Sequence, residues 1–348
     1  MKKNENKGLG ANVINFLLKW SNVFIAAAAF VYIFYIISSI PSNQISIWYN
    51  SIEISTTSIF LIILTIALSY INWLLESEKW RSLVIHIQPI SINLAYKSIL
   101  FGLTLAMITP KRIGEFAGRV FVLNKDNRIK GLLLNALASI SQLSITLIFG
   151  ITSLVFAMLY LQYDNVFINE WNVMIISIAL IVLFVISLII IFFETISKKL
   201  TSRIKSQKWQ SYLAAFSLVK RKTIFKLYYL SLMRYLVFIF QFYILLHIWG
   251  YKIELLPVLL LNSIIYLIMI IIPVSALSES GVKSSVTLLI FGAFPILSGN
   301  YNEAALISAS LSIWIVNLVL PALLGAFISF YEDFSLKDKL KNEVIDRC

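Results

Sequence analysis

Apolar residues in this chain come in long, nearly unbroken blocks. Phe16–Ile40, Ser55–Leu75, Leu132–Leu161, Trp171–Phe193, Leu227–Trp249 and Ala304–Phe330 each supply the roughly 20 residues needed to cross a hydrocarbon core. The pattern predicts six full transmembrane helices. Two further apolar regions are interrupted: Ala95–Thr109 followed by Ile113–Leu123, and Leu256–Ile272 followed by Ser284–Leu297. Each breaks at a proline, Pro110 or Pro273, and each tip also carries a glycine and an acid, Gly114 with Glu115 and Gly281 with Glu279. Proline stops a helix and glycine permits the chain to reverse, so both regions read as re-entrant helical hairpins. An open alternative counts eight to nine membrane segments, with Leu256–Leu297 crossing fully. Between the spans, Glu76–Ile87 and Lys208–Arg221 mix Trp80 and Trp209 with bases and read as helices lying in the headgroup plane.

Basic residues divide the connections between two sides. Lys2, Lys3, Lys7 and Lys19, the sets Lys79–Lys97 and Lys111–Lys130, the loop from Lys198 to Lys226 and the tail Lys337–Arg347 are rich in Lys and Arg. The connections Pro41–Ile54, Gln162–Glu170 and Ser298–Glu303 contain no base, and Gly250–Leu255 holds only Lys252. The positive-inside rule then puts residues 1–15 and 331–348 in the cytoplasm. With that assignment the first hairpin enters from the cytoplasmic side and the second from the outer side. Hairpins of opposite sense are the arrangement of inverted-topology repeats, which place a transport site at the repeat interface. The expected fold is a single all-α polytopic membrane domain over residues 1–348, in the cytoplasmic membrane.

Composition agrees with that pattern. The chain is 59% hydrophobic and 13% charged, with a mean hydropathy of +0.86, too little polar surface for a soluble globule of 348 residues. Trp20, Trp48, Trp171, Trp209 and Trp249 fall near the ends of apolar blocks, as interfacial belt residues do. The net charge of +12 is spread through short loops, so membrane topology accounts for it and a nucleic-acid partner is not expected. The first apolar block is longer than a signal-peptide core and lacks a small-residue cleavage site. Cys348 is the single cysteine, and His86 and His247 are isolated, so neither a metal nor any other cofactor is expected. There is no phosphate-binding loop, dinucleotide fingerprint or hydrolytic triad.

Charge at membrane depth is costly and marks working sites. The segment Thr109-Pro110-Lys111-Arg112-Ile113-Gly114-Glu115, with Arg119 beyond it, is the first candidate. Lys111 and Arg112 could face a lipid phosphate, with Glu115 orienting them; the competing reading is an ordinary basic loop whose side chains snorkel to the interface. Pro273, Glu279, Gly281 and Lys283 repeat the same ingredients in the second hairpin. Glu279 and Lys283, four apart, are expected to form an ion pair on one helix face; an extracellular turn is the competing reading. Asn135, Ser139, Gln142 and Thr146 recur at offsets of four, seven and eleven, forming one polar face that lines a pathway or bonds neighbouring helices. Arg234 and Gln241 give another helix a similar face, with Arg234 close enough to a helix end to snorkel. Asn262 and Asn317 read as packing contacts.

Trp80-Arg81, the segment Thr109–Glu115 with Arg119, and Pro273…Gly281-Val282-Lys283 together resemble the transmembrane region of lysylphosphatidylglycerol synthases and the flippase-like membrane proteins built on it. The resemblance covers nearly the whole chain. This chain departs from the family pattern at Ser275-Ala276-Leu277-Ser278 and at Ser284, where the family often carries a glycine-rich stretch and a Glu after the base. The resemblance implies a module that moves anionic, aminoacylated or polyprenyl-linked lipids between leaflets. It also implies that aminoacyl transfer belongs to a separate soluble domain, which is not expected in this chain. An anionic membrane lipid is therefore the expected partner, alone or beside a second copy or an envelope-biosynthesis enzyme. A headgroup transferase using Glu115 or Glu279 as base, and a non-catalytic partner subunit, are the alternatives.

Overall fold

The computed structural model describes residues 55–109, 112–160, 206–294 and 301–331, with the isolated positions 35, 38, 178, 195 and 199. The expected spans Phe16–Ile40 and Trp171–Phe193, and the belt positions Trp20, Trp48 and Trp171, fall outside these residues apart from the isolated positions. Among the described residues the regular structure is helical throughout: α1 (Thr56–Val84), α2 (Ile92–Ile108), α3 (Ile113–Val120), α4 (Arg128–Tyr160), α5 (Gln207–Ser217), α6 (Arg221–Ile248), α7 (Leu255–Ile271), α8 (Glu279–Ala293), α9 (Glu303–Trp314) and α10 (Leu320–Tyr331). Among the described residues four stretches are long and apolar enough to span a membrane: Thr56–Val84, Lys125–Ala157, Arg221–Ile248 and Glu303–Ser329. The chain is an all-α polytopic membrane protein.

Local chemistry sets the helix ends. Ser55, Ser91 and Asn302 each accept a backbone N–H three residues on, satisfying one of the donors a helix start leaves free. α2 stops at Thr109, whose extended backbone (φ −105°, ψ 140°) is the conformation a following proline demands. Pro110 and Lys111 themselves lie outside the described residues. α3 has eight residues, about 12 Å of helix, far short of a crossing, and it folds back along α2.

That return is tight. A β-carbon at Gly118 would overlap the Gly102 backbone, and one at Gly114 would overlap the Leu105 carbonyl. Helices in lipid gain little from burying apolar side chains, since the lipid tails are as apolar, so close backbone approach carries much of their packing. Gly118→Ala is expected to lower the thermal unfolding midpoint in detergent, by overpacking worth about 1–3 kcal/mol. The Gly102 backbone has no side-chain freedom with which to yield.

One expectation is corrected here, and the bounds of another change. Glu76–Ile87 is no interfacial helix: α1 continues through it to Val84, and Trp80 and Lys79 are both fully buried. The extension is stable because its polar residues find partners inside the protein. The second proposed interfacial piece is a surface helix, α5, ending at Ser217 rather than Arg221. Its Ala215 packs with Leu134, Leu137 and Ala138 of α4, while Trp209 is 56% exposed.

The last span is one continuous rod with a π-helical turn at Ile315–Val319. Pro321 has no N–H to offer the carbonyls one turn back. Those of Val316 and Asn317 instead accept from Ser69 Oγ (2.9 Å) and Trp73 Nε1 (3.1 Å) of α1. Local widening of this kind often marks functional positions in helices. Here it locks α1 to the final span and turns Asn317 inward.

Candidate functional site

Thr109 holds the first hairpin tip in shape. Its Oγ1 donates to the Leu105 carbonyl at 2.6 Å and accepts the Gly114 N–H at 2.8 Å, joining the end of α2 to the start of α3. The intervening Arg112 adopts a left-handed backbone with φ 57°, uncommon for a residue with a side chain. It sends its guanidinium in two directions. Nη2 meets Glu115 Oε2 at 3.1 Å, and Nη1 donates to Glu279 Oε2 at 2.7 Å on the second hairpin. Glu279 opens α8, in a tip tied by Ser275 and Ser278, whose hydroxyls bond each other at 2.8 Å.

From the tip the charges run inward. Glu115 Oε1 accepts from Arg119 Nη2 at 2.6 Å, and Arg119 Nη1 donates to both Glu76 Oε1 (2.6 Å) and Asn135 Oδ1 (2.9 Å). Glu76 Oε2 is held by Arg234 Nη1 and by Lys79 Nζ at 3.1 Å. Arg234 Nε donates to Asn72 Oδ1 at 2.9 Å, Asn72 to Asn317 at 3.3 Å, and Asn317 to Gln241 Oε1 at 3.0 Å. Lys79 reaches Gln142 Oε1 at 3.5 Å. One connected network therefore links α1, α3, α4, α6, the π turn and the tip of α8.

Burial deepens along this path. Arg112 and Glu279 have side chains 27% and 28% exposed, whereas those of Arg119 and Glu76 are 4% and 5% exposed. Charges so buried persist only when paired and hydrogen-bonded, and Glu76 is the counter-ion for three cations at once. The network nonetheless remains short of acceptors. Among the described residues, Lys79, Arg112, Arg119 and Arg234 pair with three acids, Glu76, Glu115 and Glu279. The Nε–H groups of Arg112 and Arg119 and the Nδ2 of Asn135 are buried with no acceptor among the described residues. Positive charge and open donors are what an anion requires.

Of the residues singled out from sequence, Thr109, Arg112, Gly114, Glu115, Arg119, Asn135, Gln142, Arg234, Gln241 and Glu279 come together here. Three expectations change. Glu279 pairs with Arg112 across the hairpins rather than with Lys283. Arg234 does not snorkel: it is 6% exposed, is bound to Glu76, and stacks against Trp73 with its guanidinium 5.2 Å from the ring centroid. The polar face of α4 is split, because Ser139 is exposed and bonded to the Asn135 carbonyl while Asn135 turns inward. Pro273 is exposed between α7 and α8, and Gly281 is buried in the first turn of α8. Asn317, read as a packing contact, is a junction of the network.

Glu76, Lys79 and Asn72 were missed. Their sequence signal was nevertheless present: they share one face of α1 at offsets of four and seven. Glu78, Arg81 and Ser82 bond one another on a different face. Reading all of these charges as one interfacial cluster hid the inward set.

The family profile of the lysylphosphatidylglycerol synthase TM region matches residues 23–325. The chain belongs to this family. The match spans the whole network, from α1 through the π turn and Gly325, and ties the protein to membrane-lipid biology. No curated protein and no solved structure matches the chain.

Proposed function

We propose that this member of the lysylphosphatidylglycerol synthase TM region family moves an anionic phospholipid, or an aminoacylated or polyprenyl-linked relative, between the leaflets of the cytoplasmic membrane. The observation that carries the reading is the cation-rich network. It begins at a partly exposed Arg112–Glu279 bridge between two hairpin tips and leads to the buried Glu76 centre, with donors that no described residue fills along the way. A lipid phosphate offers the acceptors and charge that the network lacks, and Arg binds it in a bidentate fork. Glu279 is then a place-holder: it occupies Arg112 until a phosphate competes for the same guanidinium.

A headgroup transferase is less well supported. Of the two candidate bases, Glu115 has both oxygens bonded to guanidinium groups and Glu279 has Oε2 bonded to Arg112, so each carboxylate is already engaged by a cation rather than poised as a general base. In this reading both termini face the cytoplasm, and the hairpins dip into the membrane from opposite sides with their tips meeting at Arg112 and Glu279. The lengths of α2 (17 residues), α3 (8), α7 (17) and α8 (15) agree, since each falls short of the roughly 20 residues of a crossing.

The test is leaflet exchange of fluorescent phosphatidylglycerol in liposomes containing the purified protein. The expected result is exchange well above protein-free vesicles and faster than that of phosphatidylcholine. Exchange of phosphatidylglycerol at the protein-free rate would reject the reading for that headgroup. Mass spectrometry of lipids from a deletion strain would then identify the lipid that depends on the chain.

A further inference from the structure

Lys283 lies on α8 one turn beyond Glu279 and is 7% exposed. Its ammonium donates to Tyr266 Oη at 3.3 Å and lies over the rings of Tyr266 and Phe242, 4.7 Å and 5.4 Å from their centroids. Among the described residues it makes no ion pair, whereas the other deeply buried cations, Lys79, Arg119 and Arg234, all bind Glu76. An ammonium carries three donors, of which Tyr266 takes one. The aromatic faces ease its desolvation but supply no counter-charge. Glu279, one turn back, attracts the ammonium but makes its ion pair with Arg112; buried charges are ordinarily paired directly, and an anion at Lys283 would complete that pairing.

The surroundings narrow the anion's class. Phe242, Leu261, Val282 and Val286 form the apolar cluster around this part of α8, which suits a ligand carrying hydrocarbon next to its charge. The subsite also lies one helical turn from the Glu279 end of the tip bridge, and so continues the charged path. We propose that Lys283, roofed by Tyr266 and Phe242, is a second anion-binding subsite that takes the phosphodiester of a net-anionic membrane lipid, one whose headgroup carries no cation to repel the ammonium. The identity of that ligand rests on the translocation reading above. In this arrangement the phosphate released from Arg112 has a partner further along the second hairpin.

The experiment is a binding titration on the purified full chain in detergent micelles, with phosphatidylglycerol, phosphatidylcholine and inorganic phosphate as separate probes. It is read by native mass spectrometry and by the thermal midpoint. Lys283→Met keeps the length of the stem and removes the charge, Lys283→Gln keeps polarity, and Lys283→Arg keeps the charge. Phosphatidylglycerol should bind wild type and Lys283→Arg, and bind Lys283→Met about tenfold or more weakly, with phosphatidylcholine unaffected. Ligand-free Lys283→Met should melt at or above wild type, because an uncompensated buried charge has been removed.

Equal phosphatidylglycerol affinity in wild type and Lys283→Met would overturn the subsite and leave a neutral amine held for packing. A markedly lower ligand-free midpoint in both Lys283→Met and Lys283→Gln, or failure of both to fold, would assign the residue a structural role and also overturn it. If inorganic phosphate reproduces the shift and both effects vanish in Lys283→Met, the subsite stands and its lipid source is wrong. Because the readout is binding, a protein that holds the lipid and fails to exchange it defeats the translocation reading while sparing this one.

Discussion

Glu76→Gln is expected to be the most destabilising single substitution in the described part of the chain. Glu76 is 4% exposed and accepts from Arg119, Arg234 and Lys79. The amide keeps the shape but withdraws the one negative charge that three buried cations share. Removing one partner of a buried ion pair costs about 3–5 kcal/mol, and here three pairs depend on one carboxylate. Thermal unfolding in detergent and accumulation in the membrane should both fall sharply. Glu78→Gln, two residues away, is the control. Glu78 is partly exposed and bonded to Arg81 and Lys226 at the surface, and its loss should cost less than about 1 kcal/mol. Equal effects of the two substitutions would mean that the inward network does not organise the bundle.

Arg112→Gln is expected to have the largest effect on transport with a small effect on stability. Its side chain is 27% exposed and bridges Glu115 to Glu279, so solvent softens the loss of the ion pairs themselves. Its charge, though, is the outermost of the path and the one a phosphate meets first. Loss of a charge-assisted hydrogen bond of about 1.5–3 kcal/mol at the rate-limiting step corresponds to a fall of about ten- to a hundredfold in exchange rate. Glu279→Gln separates the roles. It removes the competitor for Arg112 and keeps the phosphate ligand, so it should bind phosphatidylglycerol more tightly than wild type. Parallel losses of binding in both variants would show that the bridge itself, rather than the freed guanidinium, is what the site needs.

The spans were legible because crossing length is written directly in the apolar blocks, as Leu227–Trp249 against α6 (Arg221–Ile248) illustrates. The hairpin breaks were equally plain at Pro110 and Gly114, and at Pro273 and Gly281. Members of the charged network such as Arg112, Arg119 and Glu279 could be named because charge is rare in such a chain. Their partners could not. Which cation meets Glu279 depends on how two hairpins distant in sequence approach each other, and spacing along α8 favoured Lys283. Glu76 and Lys79 were obscured by Glu78 and Arg81, which share their stretch of sequence but occupy another face. The inward turn of Asn317 depends on a π turn permitted by Pro321, a register change that no count of periodicity reveals.

The account turns on one ratio: the exchange rate of fluorescent phosphatidylglycerol to that of phosphatidylcholine, measured in liposomes carrying wild type and Arg112→Gln at matched protein density. The expected ratio is well above one for wild type and collapses toward one in Arg112→Gln, with the phosphatidylcholine rate unchanged. A wild-type ratio near one, or a high ratio that survives the loss of Arg112, would contradict a phosphate path through the hairpin tips.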